Sequence, residues 1–222
     1  MAEQKPAAAV YVRRIIAAAA LAGFAVILIC VATGHTAGFD DPVRNWFYSL
    51  RSESLTKVVI VITNLASKWV IIGLCILLLI IPRTRIPFGL PLSAGALGMI
   101  LLNSLIKHLV QRPRPDVPHL AEEVGYSCPS GHSITSMFFY GLAIFLVWQN
   151  SKNRRLNIVL TVLLAIPMIL IGPTRIYLGV HFPTDVLGAW CLAIAGIVLA
   201  VEILEARSRA VQARLSEPPR RS

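Results

Sequence analysis

Three short polar segments at the ends of apolar runs carry the side chains that could do chemistry. In residues 174–185, sequence TRIYLGVHFPTD, an arginine, a histidine and a carboxylate (Arg175, His181 and Asp185) fall within twelve residues. Such side chains are costly at the edge of a membrane-sized apolar segment, so their presence indicates a function. The Arg175 guanidinium can bind a phosphate. His181 can attack phosphorus or move protons, and Asp185 can fix the tautomer of its imidazole.

The second segment places two cations close together. Lys107 ends an apolar run, and Arg114 follows seven residues later in the sequence KHLVQRPRP. Because Pro113 ends a helix, both charges can reach one place, where they suit the non-bridging oxygens of a phosphate. The alternative is that they are interfacial residues whose charges reach lipid head groups.

The third segment is a Pro-Ser-Gly-His sequence at residues 129–132, where an apolar run begins. A Ser130-Gly131 turn at a helix N-terminus offers free N–H groups and the positive end of the helix dipole to an anion. His132, in the first turn, could donate a proton to a leaving oxygen. The alternative is that Ser130 is an ordinary N-cap and His132 an interfacial side chain. For residues 174–185 the alternative is a polar loop whose Asp185 favours the helix dipole, which accounts poorly for the Arg and His.

Taken in order, K-x6-R-P, P-S-G-H and R-x5-H-x3-D resemble the type 2 phosphatidic acid phosphatase superfamily of lipid phosphate phosphatases. The motifs occur between Lys107 and Asp185 with their internal spacings intact. One departure is that Thr174 stands where the family's third motif usually has a serine before the arginine, so a hydroxyl is retained.

The resemblance implies a role for each motif residue. His181 is expected to be the nucleophile that forms a phosphohistidine, with Asp185 holding its imidazole. His132 is expected to protonate the leaving group and then activate water. The phosphoryl oxygens are expected to be bound by Lys107, Arg114, Ser130, Gly131 and Arg175. No metal or cofactor is expected, and the adjacent Glu122 and Glu123 are predicted to form a solvated rim rather than metal ligands.

Composition places these motifs in a membrane protein. The chain has 222 residues, 56% hydrophobic and 14% charged, with a mean hydropathy of +0.70, which is too apolar for an ordinary soluble domain. Its net charge of +10 does not indicate nucleic-acid binding, because the basic residues lie between apolar runs rather than on one patch. We therefore expect the membrane and a lipid phosphate as partners, and no nucleic acid. The four cysteines show neither disulfide nor zinc spacing.

The apolar runs predict an all-α fold, an integral membrane bundle of six transmembrane helices. Residues 55–66 are expected to form an interfacial or partly buried helix, and the first run is interpreted as a retained span rather than a signal peptide. The spans are predicted at residues 15–33, 69–81, 88–110, 131–148, 156–172 and 183–204. They form one domain, residues 15–204, between a cytoplasmic N-terminal segment, residues 1–14, and a basic cytoplasmic tail, residues 205–222.

Basic residues predict the orientation of this bundle. Of the 21 Lys and Arg residues, 13 fall on the side of both termini and 8 on the opposite side, and the richer side is cytoplasmic by the positive-inside rule. The active site is therefore expected at the external membrane edge, on a cell-membrane protein.

The favoured hypothesis is a metal-independent phosphatase that hydrolyses the terminal phosphate of a lipid phosphate or diphosphate. The resemblance ranks undecaprenyl diphosphate or phosphatidylglycerophosphate first and phosphatidic acid close behind. One alternative is a phosphotransferase that passes the phosphoryl group to another lipid or sugar. A second is a non-catalytic anion transporter, which the clustering of polar residues at one edge disfavours. The apolar spans also disfavour a soluble vanadate-dependent peroxidase, and the sequence leaves the oligomeric state open.

Overall fold

The structure, a computed structural model, describes residues 7–216, and helices account for all regular secondary structure in that range. The apolar runs form helices because a chain in lipid must satisfy its backbone hydrogen bonds internally. The elements are α1 (Ala7–Ala32), α2 (Ala37–Ser49), α3 (Glu53–Asn64), α4 (Lys68–Ile80), α5 (Pro82–Thr84), a π-helical turn (Arg85–Gly89), α6 (Leu90–Val110), α7 (Gly131–Asn150), α8 (Arg154–Tyr177) and α9 (Pro183–Ser216).

Six helical stretches of the described chain are long and apolar enough to cross a membrane, which confirms the predicted six-span helical bundle. They cover Ala8–Ala32, Glu53–Ile80, Pro82–Val110, Gly131–Asn150, Arg154–Tyr177 and Pro183–Ser216.

The second span differs from the prediction. Residues 55–66 were expected to form an interfacial or partly buried helix ahead of the span, but α3 and α4 follow one another and together form a single candidate span. The polar residues between them make the break, because the Ser67 side chain accepts a hydrogen bond from the Val70 N–H and starts α4. Val59 and Thr63 of α3 are buried, so this helix packs within the bundle.

Several helices extend beyond their predicted ends. Helix α8 continues through Pro173, so Arg175 lies in its last turn rather than in a loop. Helix α9 continues to Ser216, well into the predicted tail, and α1 begins within the predicted N-terminal segment. Residues 1–6 and 217–222, which include the basic residues Lys5, Arg220 and Arg221 of those two segments, lie outside the described residues.

Helix α7 is the most buried span and forms the centre of the bundle. Its Phe138, Leu142 and Leu146 are at most 2% exposed. Gly95 of α6 permits the close approach of α7, since a Cβ atom at that position would lie 2.5 Å from Phe138 Cζ. This packing fixes the level at which α7 begins, and with it the position of the Ser130-Gly131 turn.

Three connecting segments meet at one end of the bundle. The segment between α6 and α7, residues 111–130, joins the segment between α8 and α9 through the Leu120 N–H, which donates to the Leu178 carbonyl (2.9 Å). Just after α2, the Arg51 side chain donates to the Tyr177 carbonyl (2.9 Å). Residues from distant parts of the chain therefore converge there.

Candidate active site

His181 lies in the short connection between α8 and α9, just before the N-terminus of α9. Gly179 makes the turn with φ of +80°, a conformation that glycine adopts without a Cβ clash. His181 is 1% exposed, and Asp185, in the first turn of α9, is fully buried. The spacing of four residues brings their side chains together at the start of this helix.

Asp185 holds the segment that carries the histidine. Its Oδ2 atom accepts the Phe182 N–H (2.9 Å) and the Ser127 hydroxyl, and it lies 3.5 Å from His181 Nδ1. On the other side of the imidazole, Nε2 lies 3.3 Å from Arg114 Nη1. A carboxylate beside Nδ1 and a guanidinium donor beside Nε2 together favour the neutral tautomer with its proton on Nδ1. In that tautomer the lone pair is on Nε2, where it faces the Arg114 donor.

Burial controls the protonation of His181. It lowers the pKa of the imidazole from 6.5 to about 4, although Asp185 acts in the opposite direction. The folded protein therefore keeps this histidine neutral, and so nucleophilic, at neutral pH. Between pH 6.5 and about 4 the unfolded chain takes up a proton here that the folded chain does not, so this site favours unfolding as the pH falls through that window.

Lys107 and Arg114 meet in the segment between α6 and α7. The Lys107 ammonium donates to the Tyr126 carbonyl (2.7 Å), and Arg114 Nη2 lies 3.4 Å from the same oxygen. Arg114 Nη1 also donates to the Val180 carbonyl (2.8 Å). The two cations predicted from their spacing thus lie together, next to His181.

Arg175 reaches the same place from the last turn of α8. It is 2% exposed, its Nη1 donates to Thr63 Oγ1 (2.8 Å), and its Nη2 forms an ion pair with Glu123. Its Nε is buried and has no hydrogen-bond partner among residues 7–216. Since a buried donor without a partner is costly, this atom is a candidate contact for a ligand oxygen.

The prediction that Glu123 belongs to a solvated rim is wrong, because its side chain contacts three cationic or titratable groups of the site. Besides its pair with Arg175, its carboxylate lies 3.5 Å from Arg114 Nη2 and 3.4 Å from His132 Nδ1. Burial acts to raise its pKa, but Arg175, His132, His181 and Arg114 together outweigh that effect and hold the pKa below its usual value. Glu122 is exposed, as expected of a rim residue. Glu123 is therefore an anion bound among the cations of the site.

The N-terminus of α7 completes the arrangement. Helix α7 begins at Gly131, and the preceding Ser130 makes no side-chain capping hydrogen bond. Instead, the Ser130 hydroxyl accepts a hydrogen bond from Ser133 (2.8 Å). Ser130 is thus not an ordinary N-cap, and the first N–H groups of α7 are not satisfied by it. His132, in the first turn, faces Glu123.

A cavity of about 270 Å³ opens on the side of this network formed by Arg175, Glu123 and His132, and it is several times the roughly 30 Å³ that one water occupies. Its lining includes Asn64 of α3, Glu123, His132 and Arg175. All eight predicted site residues lie in or next to this network of contacts. Within residues 7–216 no group of three His, Cys, Asp or Glu side chains could hold a metal ion.

Sequence reasoning missed three buried side chains that contact Asp185 directly or through a neighbour: Arg112, Asp40 and Ser127. Arg112 Nη1 donates to Asp185 Oδ1 (2.7 Å) and Nη2 donates to Asp40 Oδ2 (2.7 Å). Arg112 stands two residues before Arg114, and only the latter falls on the motif. Asp40 has no spacing relation to any motif, so the sequence gives no signal for it.

Comparison with known proteins agrees with this geometry. The chain is 29% identical to phosphatidylglycerophosphatase B of Bacillus subtilis (strain 168) over 181 residues, which cover 77% of this chain and 86% of that protein. It is also 29% identical to undecaprenyl-diphosphatase of Sulfolobus acidocaldarius, over 68% of this chain and 71% of that protein.

A solved structure shares the fold. It is the transmembrane PAP2 type phosphatidylglycerolphosphate phosphatase from Bacillus subtilis, with a TM-score of 0.77 and 26% sequence identity, and the match covers 86% of this chain and 96% of that one. These relatives are lipid phosphate or diphosphate phosphatases, which supports a lipid phosphate hydrolase. The PAP2 superfamily model matches residues 88–209, more than half of the chain and all three motifs, and the chain therefore belongs to the PAP2 superfamily.

Proposed function

We propose that this protein hydrolyses the terminal phosphate of a lipid phosphate or diphosphate through a phosphohistidine on His181. The observation that carries the proposal is the meeting of two histidines and three cations in one network of contacts, next to a cavity that His132 and Arg175 line. His181 Nε2 carries the lone pair and lies 3.3 Å from Arg114 Nη1, while His132 and Arg175 both contact Glu123.

In the first step, the Nε2 lone pair of His181 forms a bond to phosphorus as the bond from phosphorus to the leaving oxygen breaks. His132 gives its proton to that oxygen, which leaves as an alcohol or, from a diphosphate, as a lipid monophosphate. Asp185 stabilises the charged imidazole. Lys107, Arg114 and Arg175, with Ser130 and the Gly131 amide, bind the phosphoryl oxygens, whose charge dominates the barrier.

In the second step, water attacks the phosphohistidine. His132, now without its proton, takes one from the water as the new P–O bond forms and the P–N bond breaks. Inorganic phosphate leaves and His181 returns to its neutral form. If a second lipid or a sugar replaced water, the same chemistry would transfer the phosphoryl group instead.

The relatives narrow the substrate. They act on phosphatidylglycerophosphate and undecaprenyl diphosphate, so we rank these lipids first and phosphatidic acid next. The test is phosphate release by purified protein in detergent from these three lipids. Release from at least one, lost in the His181→Ala variant, supports the proposal. No release from any of them, or transfer to an acceptor without release, contradicts it.

Glu123 must be displaced by the substrate in this proposal, because it occupies the same donors as a phosphate would. Replacing it as Glu123→Gln is expected to tighten product inhibition by inorganic phosphate about tenfold, or about 1.4 kcal/mol. The neighbouring Glu122→Gln, which makes the same charge change at an exposed position, is the control. Equal inhibition constants in the two variants would show that Glu123 does not compete with phosphate.

We further propose that the active site faces the outside of the cell, as the distribution of basic residues predicts. Val124 is 94% exposed at the site end, and Lys152 is exposed in the turn between α7 and α8. In intact cells, a membrane-impermeant maleimide is expected to label Val124→Cys, and Lys152→Cys only after lysis. The four native cysteines are all partly or fully buried, and labelling of the wild-type protein measures their background reaction with the maleimide. The reverse labelling pattern would invert the orientation.

A further inference from the structure

A second set of charged groups contacts Asp185 through Oδ1, the oxygen that does not face His181. Arg112 bridges two carboxylates, with Nη1 on Asp185 Oδ1 and Nη2 on Asp40 Oδ2, each at 2.7 Å. The side chains of Arg112, Asp40 and Asp185 are 10%, 1% and 0% exposed. Charges buried to this degree interact strongly because water screens them little.

Asp40 also fixes the helix that carries Asp185. It comes from α2, and its Oδ1 accepts the backbone N–H of Thr184, the second residue of α9 (2.9 Å). Its Oδ2 accepts the Thr184 hydroxyl (2.9 Å). A carboxylate on the first N–H groups of a helix is a cap, and here a residue 144 positions away supplies it.

Arg112 fixes the histidine segment as well. Its guanidinium carbon lies 3.9 Å from the centre of the Phe182 ring, and Phe182 follows His181 directly. The Phe182 N–H donates to Asp185 Oδ2. One guanidinium therefore touches both the carboxylate and the peptide segment that orient the imidazole.

The same groups set the charge beside Asp185, the carboxylate that faces the imidazole. Arg112 and Asp40 stand behind Asp185 as a cation and an anion of nearly balanced charge. The other charged or titratable groups that act on His181 are Arg114 and Glu123 from residues 111–130, His132 from α7, Arg175 from α8 and Asp185 from α9. Removing either member of the pair upsets the balance, and the two removals act in opposite directions.

We propose that Arg112 and Asp40 are positioning residues that hold Asp185 against His181 and balance the charge on that carboxylate. This inference rests on the proposed role of His181 as the nucleophile. It assigns α2, which lies outside the segment that matches the family, a part in the reaction.

Arg112→Gln removes a positive charge next to Asp185, so Asp185 stabilises protonated His181 more strongly. The acidic limb of kcat/KM, which reports protonation of the free enzyme, is expected to move up by about one pH unit. The kcat is expected to fall about tenfold with little change in KM, because orientation is lost and phosphate binding is kept. Arg112→Lys restores the positive charge but not the two guanidinium nitrogens that bind separate carboxylates. The acidic limb should therefore return to its wild-type pH, while kcat recovers only in part.

Asp40→Asn acts with the opposite sign. Without the Asp40 charge, Arg112 offsets more of the negative charge of Asp185, so Asp185 stabilises protonated His181 less. The acidic limb is therefore expected to move down by about half a pH unit. Asp41→Asn is the matched control, since Asp41 is the next residue of α2, half exposed, and pairs with Arg44 instead (2.9 Å). That variant should keep the wild-type profile.

The experiment measures phosphate release from phosphatidylglycerophosphate, undecaprenyl diphosphate and phosphatidic acid between pH 3.5 and 8, in detergent, for wild type, His181→Ala and the four variants. Ionisation of the substrate is common to all of them, so differences report the protein. Melting temperatures identify variants that do not fold. If Arg112→Gln fails to fold, the proposal is tested by whether the acidic limb of kcat/KM moves down in Asp40→Asn.

Opposite shifts of the limb for Arg112→Gln and Asp40→Asn support the proposal. The proposal is overturned if both variants lose activity while their acidic limbs stay at the wild-type pH, or if the two limbs shift in the same direction. Arg112 and Asp40 would then have a purely structural role. An inactive wild type would reject the proposed function, and this inference with it. An active wild type with unmoved limbs would reject the positioning role only.

Discussion

His181→Ala is expected to lower phosphate release from every lipid substrate by about 10⁴-fold or more, because loss of a nucleophile removes the covalent route altogether. The side chain is 1% exposed and small relative to the network around it, so the variant should still fold. Initial rates measure the loss. Rapid quenching with ³²P-labelled substrate tests the intermediate, which should be an acid-labile phosphoenzyme in wild type and missing from the variant.

The control for this prediction is His35→Ala. His35 is exposed in the turn between α1 and α2, and its replacement should leave the rate within about twofold of wild type, as surface substitutions do. A His181→Ala protein that keeps more than a few per cent of the activity, or that still forms the labile phosphoenzyme, would assign the nucleophile elsewhere.

Arg175→Lys is expected to lower kcat/KM by about 10³-fold, or about 4 kcal/mol, although the charge is conserved. The guanidinium is 2% exposed and uses its two terminal nitrogens on different partners, Thr63 and Glu123. An ammonium cannot reproduce that fork, nor the third donor at Nε, which has no partner within the described residues. Rates with saturating and limiting substrate separate the loss in kcat from the loss in KM.

Arg13→Lys provides a matched exchange outside the site. Arg13 donates through two nitrogens to Glu205 (2.8 and 2.7 Å) at the opposite end of the bundle. Its replacement should change the melting temperature slightly and leave kcat/KM unaltered. If Arg175→Lys also left kcat/KM unaltered, the guanidinium geometry of Arg175 would have no role in binding phosphate.

The sequence was sufficient where the information is local. His181 and Asp185 are four residues apart on the approach to a helix, and this spacing alone brings them together. Runs of about 20 apolar residues predict spans because a bilayer requires that length. The same holds for Gly131, where Pro129 and Ser130 mark the start of α7.

Contacts between distant residues could not be predicted in this way. Glu123 was expected to be solvated because it lies beside another carboxylate in a polar loop, yet its partner Arg175, 52 residues away, holds it in the site. Arg112 and Asp40 are 72 residues apart, and only the folded bundle brings them together. The position of a buried charge depends on such partners, which a single sequence does not reveal.

Helix ends were the other source of error, for a different reason. The predicted tail lacks Gly and Pro between residues 205 and 216 and is rich in Ala and Arg, so its intrinsic preference is helical. Ion pairs from Arg13 to Glu205 and from Arg14 to Glu202 also join this end of α9 to α1. Hydropathy locates the apolar stretch but not the helix that continues beyond it.

Because Asp40 and Thr36 come from the start of the chain, residues 88–209 are not a self-contained module. Grafting them onto the first two spans of another membrane protein would bury Arg112 with one carboxylate instead of two, and would remove the acceptor of the Thr184 N–H at the start of α9. Exchange of halves between members of the superfamily should therefore succeed only when the donor of the N-terminal half carries an acidic residue at the position of Asp40.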